Sequence, residues 1–189
     1  MNNIVQHENI IDQEHVNMLC NHMTTLNFPW FVLPRTGNYN QPQISYDLQD
    51  SKFSLAHTLV NDGNINSEEI WKFDKLLHAL YKKFEIDHTR TFVQRIRIGL
   101  ITKVSDISFE HEKHIDYDTP HKTLLFYFND STGTTKFYSK DSSDNTVTKE
   151  ITPKTNSACL FDGLIYHSSS TPNTNNFRFV LNINILERD

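Results

Sequence analysis

Residues 177–186 read FRFVLNINIL, and their polarity alternates without a break. On an extended backbone Phe177, Phe179, Leu181, Ile183 and Ile185 leave one face, and Arg178, Val180, Asn182 and Asn184 leave the other. The first face suits a helix layer packed on the outside of a sheet. The second carries a guanidinium and two amides, which suits a polar cavity. An unpaired buried guanidinium is very costly, so an inward Arg178 calls for an anion. A carboxylate gripped by two parallel hydrogen bonds is its natural partner. No carboxylate in this strand shares its face, which makes a bound dicarboxylate a reasonable candidate.

The same period of two recurs upstream. In residues 123–128, Leu124, Phe126 and Phe128 oppose Thr123, Leu125 and Tyr127. From Thr91 onward, Ile96, Ile98 and Leu100 oppose Arg95 and Arg97. Those two arginines mark either a solvated strand face or a cavity wall that meets substrate. Residues 134–139, 147–151 and 158–161 read as further short strands, separated by turns at 129–133, 141–145 and Asp162-Gly163. Residues 168–176, rich in serine, asparagine and proline, read as an exposed loop.

Before Thr91 the period is helical. Val16, Leu19, Cys20 and Met23 make an amphipathic stripe after a plausible N-cap at Asp12. Ile70, Phe73, Leu77, Leu80, Tyr81 and Phe84 make a second, with residues 66–69 resembling a capping box. Prolines and aromatics in residues 28–45 indicate an ordered loop or edge strand, a candidate cover for an active-site mouth. Residues 50–60 fit either a strand or a short helix. Two helices followed by about eight short strands predict an α+β fold: a double-stranded β-helix, or jelly roll, with the N-terminal helices packed on one sheet. One domain is expected over 1–189, with 1–90 as helical and loop support and 91–189 as the jelly-roll core.

Composition narrows the function. A net charge of -5 over 189 residues disfavours bulk nucleic-acid or membrane-surface binding. Two cysteines, Cys20 and Cys159, both on apolar patterns, read as reduced core thiols. No signal peptide is visible, and no apolar run approaches the roughly 20 residues of a membrane span. The expectation is a soluble cytoplasmic protein.

The chemistry centres on residues 111–138, HEKHIDYDTPHKTLLFYFNDSTGTTKFY. His114 and Asp116 lie two apart and share a face if extended. With ten histidines in the chain, such a pair is expected by chance about 0.7 times, so alone it says little. His167, after the apolar run ACLFDGLIY, adds the second imidazole. Two histidines and a carboxylate form the facial triad of non-haem Fe(II) oxygenases, which leaves coordination positions open.

In order along the chain, HID, TLLFYFND, TGTTKFY, TPKTNSACLFDG, YH and FRFVLNINI resemble the motif series of the Fe(II)/2-oxoglutarate-dependent dioxygenases, in the prolyl 4-hydroxylase-like branch. Small phage-encoded members are the most similar in character, which adds the expectation of a virus-encoded protein acting in a host cytoplasm. The resemblance implies that His114, Asp116 and His167 ligate Fe(II) and that Arg178 holds the distal carboxylate of 2-oxoglutarate. It also implies that Tyr127 donates its hydroxyl to that carboxylate, with Asn182 as a further polar position of the cosubstrate pocket. No catalytic side chain beyond the metal ligands is implied. The reaction would consume O2 and 2-oxoglutarate and hydroxylate a C–H bond of a peptide (peptidyl proline included), small molecule or nucleotide. The sequence departs from the pattern in two places. Thr132 replaces the first glycine of a GGxTxF-type turn, and RIGLITK lacks a tyrosine common in relatives. Arg95 or Arg97 would supply polar contacts there, on the substrate side. His111 and His121 flank the motif without a carboxylate two positions on, and read as surrounding or surface residues.

Two other readings compete. One is a non-catalytic jelly-roll module that binds carbohydrate or protein, its histidines incidental. The other is a cupin-type metal enzyme of different chemistry, with Glu112 or His111 as a fourth ligand.

Overall fold

Two antiparallel sheets face one another, and two helices cover the outer side of the larger, in a computed structural model of the chain that describes residues 3–33, 54–87, 89–140 and 143–187. The N-terminal part runs β1 (Val5–Glu8), α1 (Gln13–Met23), β2 (Phe31–Leu33), β3 (Ser54–Asn61), β4 (Asn64–Ile65) and α2 (Ile70–Lys83). There follow β5 (Thr91–Thr102), β6 (Lys122–Tyr127), β7 (Thr135–Phe137) and β8 (Lys149–Ile151). The chain ends with β9 (Ser157–Asp162), β10 (His167–Ser169) and β11 (Phe177–Glu187). The large sheet has the order β1-β9-β6-β11-β5-β3-β2, with β4 beside β3; the small sheet is β10-β7-β8. Bridges Glu110↔Ser170 and His114↔His167 lay residues 110–114 along the free edge of β10.

The alternation of β11 sorts the molecule into layers. Phe179, Leu181, Ile183 and Ile185 join Ile96, Ile98, Leu124 and Phe126 in one core, which Val16, Leu19 and Met23 of α1 and Phe73, Leu76 and Leu80 of α2 close from outside. Between the sheets lies a second, smaller cluster of Leu125, Tyr127, Phe137, Ile151, Cys159, Phe161 and Ile165. The apolar faces of the strands point to the helices and the mixed faces point to the space between sheets, as a jelly roll with helical backing requires. Both cysteines are free thiols, and burial pushes Cys159 up to about 12.

The N-terminal half departs from expectation. Among the described residues four strands precede Thr91, three of them in the main path of the large sheet. Residues 54–61 are strand rather than helix. β1 pairs with β9 at the sheet edge although its side chains are mostly exposed, so its sequence carries no apolar alternation. At the start of α2 no capping box forms. Asn66 donates to the Thr58 carbonyl (2.9 Å), while the Ser67 hydroxyl accepts from the Glu69 N–H (3.2 Å) and pairs with His57 Nε2 (2.8 Å). The helix entry is thus tied to β3. α1 does carry its cap: Asp12 Oδ1 accepts from the His15 N–H at 2.8 Å. The expected loop at 168–176 begins instead as strand β10, and Ser168, Ser170 and Thr171 are buried. Of residues 28–45, β2 is an edge strand; residues 34–45 of the proposed cover lie outside the described residues.

Candidate active site

One ligand atom each from His114, Asp116 and His167 fall within 4.8 Å of one another. Backbone pairing sets the two histidines side by side: each N–H donates to the other's carbonyl at 2.9 Å. Each ring donates Nδ1–H to the carbonyl two residues earlier, His114 to Glu112 (3.0 Å) and His167 to Ile165 (3.1 Å). A carbonyl can only accept, so in each ring Nδ1 carries the proton and Nε2 is the nitrogen left for a metal. That of His167 lies 3.8 Å from Asp116 Oδ2. Burial, reinforced by His114 and opposed by Asp116, pushes the His167 imidazole down to about 4, so it is neutral.

The Asp116 side chain is 1% exposed and accepts hydrogen bonds on both oxygens. Arg95 Nη2 donates to Oδ1 at 2.5 Å. Asn184 and Asn182 donate their amides to Oδ2 at 2.9 and 3.2 Å. Burial alone raises the pKa of this carboxyl, but Arg95, His167, His114 and Arg97 outweigh it and hold the group well below the usual carboxylate range. Two imidazole rings and an ionised carboxylate form a donor set that fits a divalent first-row metal.

Arg178 is 1% exposed and enters the same interior from the start of β11. Its Nη2 donates to Thr135 Oγ1 at 2.7 Å and its Nη1 to the Thr134 carbonyl at 3.3 Å. The guanidinium carbon sits 5.7 Å from the centre of the Tyr127 ring. Among the described residues no carboxylate pairs with it, and its Nε is buried without a partner. Burial, opposed by Tyr127 and Cys159, lowers its pKa. This is the chemistry of a site for an anionic group. A cavity between the sheets joins the two features, with His114, His167, Asn182, Arg178, Thr135 and Ser169 in its wall.

The structure brings the expected residues together in differing ways. Arg97 lines the cavity. Arg95, expected on the substrate side, pairs with Asp116 and lies 5.3 Å from the Tyr117 ring centre. Asn182 lines the cavity while its amide points to Asp116. Tyr127 is buried behind the wall, its hydroxyl 2.8 Å from Thr135 Oγ1 and 3.8 Å from Cys159 Sγ. Burial raises that hydroxyl's pKa well above the ordinary value. His111 and His121 are both buried. Sequence reasoning passed over Thr135, Ser169 and Asn184. Thr135 is the threonine of the GGxTxF-type turn and Asn184 shares the inner face of β11, so both had a signal. Ser169 had none.

No family model and no curated protein matches the sequence. Solved structures do match the fold. A 2OG-Fe(II) oxygenase family oxidoreductase from Burkholderia pseudomallei aligns with TM-score 0.66 at 12% identity, over 96% of this chain and 84% of that one. A prolyl hydroxylase from Trichoplax adhaerens, in complex with a hypoxia inducible factor peptide, aligns with TM-score 0.64 at 11% identity, over 99% and 84%. The viral collagen prolyl hydroxylase of Paramecium Bursaria Chlorella virus-1 aligns with TM-score 0.56 at 15% identity, over 96% and 94%. The chain therefore has the fold of the 2OG-Fe(II) oxygenases. Among the described residues no helix is long and apolar enough to cross a membrane.

Proposed function

We propose that the chain is an Fe(II)- and 2-oxoglutarate-dependent dioxygenase, a single domain over 1–189 that hydroxylates a C–H bond of a separate substrate. The observation that carries this reading is the pairing of two features in one cavity: a His-Asp-His cluster and a buried arginine without a carboxylate partner. Bound there, iron and 2-oxoglutarate supply oxidative decarboxylation to succinate and CO2 coupled to C–H hydroxylation.

The protein's share is binding, orientation and exclusion of water. His114 and His167 offer lone pairs already aimed by their carbonyl partners, and Asp116 offers a charge already ionised by Arg95. Arg178 takes the distal carboxylate of 2-oxoglutarate. Thr135, held by Arg178 and backed by the Tyr127 hydroxyl, completes that end. Leu125, Ile101 and Val180 give the wall an apolar part, which helps keep water from the reacting centre. Arg97, Leu33 and Ser54 line the same cavity from the β2-β3-β5 side, where the primary substrate would enter.

Anaerobic addition of Fe(II) and 2-oxoglutarate to the metal-free protein should give a visible charge-transfer band, and admission of O2 should release succinate. Asp116→Ala should abolish both. Arg178→Lys should keep the band but demand far more 2-oxoglutarate. A wild-type protein that shows neither band nor succinate would end the proposal.

A further inference from the structure

The cavity wall holds an acceptor that 2-oxoglutarate cannot satisfy. Asn182 donates its amide N–H to Asp116 Oδ2 at 3.2 Å. A carboxylate only accepts, so this bond fixes which way the amide lies and identifies its other atom as the oxygen. That oxygen, Oδ1, is buried with no hydrogen-bond partner. Asn184 Oδ1 is orphaned too, but Asn184 does not line the cavity, whereas Asn182 does. Ionised 2-oxoglutarate has oxygens but no N–H or O–H, so it brings this atom further acceptors and no donor. Of the two organic reactants, only the primary substrate can supply one.

Beside the acceptor stands a cation. Arg97 of β5 is the cross-strand partner of Asn182 in β11, and Thr58 of β3 is its partner on the other side. Side chains paired in this way start about 5 Å apart at Cβ. Arg97 lines the cavity together with Leu33 and Ser54, on the side away from the small sheet. Arg178 belongs to a different row, paired with Ile101. It lies four residues from Asn182 along β11, about 13 Å on an extended strand. Among the described residues that line the cavity none is acidic. The row formed by Arg97 and Asn182 therefore offers a positive charge and an acceptor side by side, apart from the arginine assigned to the distal carboxylate.

We propose that the primary substrate is a free α-amino acid, its carboxylate taken by Arg97 and its amino group by Asn182 Oδ1. The inference rests on the reading given under Proposed function and names the substrate class for that site. An α-amino acid carries an anion and an N–H donor on one carbon, which matches a cation and an acceptor on paired residues. A residue within a peptide has lost that carboxylate charge to an amide bond, and a prolyl residue has lost the N–H as well.

The test uses the full chain loaded with Mn(II) and 2-oxoglutarate, titrated calorimetrically with each of the common amino acids and with the N-acetyl amide of each. At least one free amino acid should bind, and its N-acetyl amide should bind about tenfold more weakly or worse, the size expected for a lost hydrogen bond to a charged group. The same amino acid should raise succinate release by the iron-loaded enzyme above the level without it. Arg97→Met should weaken that amino acid by about tenfold or more and 2-oxoglutarate by no more than about threefold. Arg97→Lys, which keeps the charge, should restore part of the loss. Should Arg97→Met fail to fold, the comparison of free and blocked amino acids on the wild type still decides. Binding of no free amino acid, equal or tighter binding of the blocked forms, binding that leaves succinate release unchanged, or an Arg97→Met loss shared equally by 2-oxoglutarate overturns the inference and leaves the iron site standing. Failure of the wild type to bind 2-oxoglutarate with Mn(II) takes down both.

Discussion

At the scale of single residues, Asp116 and Arg95 carry the largest electrostatic stake. The pair is 2.5 Å apart with side chains 1% and 9% exposed, so neither charge has water to fall back on. Removing one partner of a buried pair strands the other and costs about 3–5 kcal/mol, whereas replacing both with apolar groups of like volume is often near neutral. Arg95→Met should therefore destabilise the metal-free protein by about that amount in urea, and adding Asp116→Leu should recover most of it. A loss below about 1 kcal/mol in the single variant would mean the pair is solvated and the buried reading is wrong. His111 makes a second residue-scale prediction. Its folded value of about 4 lies below the ordinary 6.5. Between those values only the unfolded chain takes up the proton, so this contribution is complete above pH 6.5 and is lost as pH falls toward 4. His167 acts in the same direction. Metal-free protein should lose on the order of 3 kcal/mol through His111 alone over that window, and His111→Phe should flatten the urea-stability profile by that much.

Among the elements, β7 and β10 show how closely the small sheet is built. A Cβ on Gly133 would stand 2.4 Å from the Ser170 carbonyl oxygen and 2.9 Å from the Pro172 nitrogen. Both are backbone atoms and cannot swing aside. Gly133→Ala should cost about 1–3 kcal/mol and, because Thr135 is two residues on, weaken 2-oxoglutarate binding as well; thermal unfolding and calorimetry check the two effects separately. The elements also show where the sequence was readable. β11, β6 and both helices announce themselves because one face meets an apolar layer and the other does not. β1 escapes notice because an edge strand is held by backbone bonds, with side chains left in water. β10 escapes for the opposite reason. Its HSS reads as an exposed loop because serine is usually a surface residue, yet its hydroxyls face a polar interior and the Glu110 network, where Ser168 Oγ donates to Glu110 at 2.9 Å. Periodicity left Arg95 on either a solvated face or a cavity wall and could not name its partner, because Asp116 sits in a segment with no period at all. The triad was legible as a motif. The residues that hold it were legible only as faces.

For the molecule as a whole, the candidate site works as a tie between layers. Arg178 and the amides on Asp116 come from the large sheet, while His167 and Thr135 come from the small one, and residues 110–114 are added to its edge. A metal and a dicarboxylate bound together would thus span both sheets, and neither would find this arrangement in the unfolded chain. A ligand that binds only the folded state stabilises it by RT ln(1 + [L]/Kd), about 2.7 kcal/mol at a hundredfold excess over Kd. For a chain of 189 residues such an increment raises the unfolding midpoint by about 5–10 °C. Mn(II) should raise the melting temperature of the wild type, and 2-oxoglutarate should raise it further only when Mn(II) is present. Asp116→Ala should lose both increments, and Arg178→Ala should keep the first and lose the second. If 2-oxoglutarate alone stabilised the metal-free protein as much as the pair did, the two halves of the cavity would be independent, and Arg178 would be serving an anion site with no bearing on the metal.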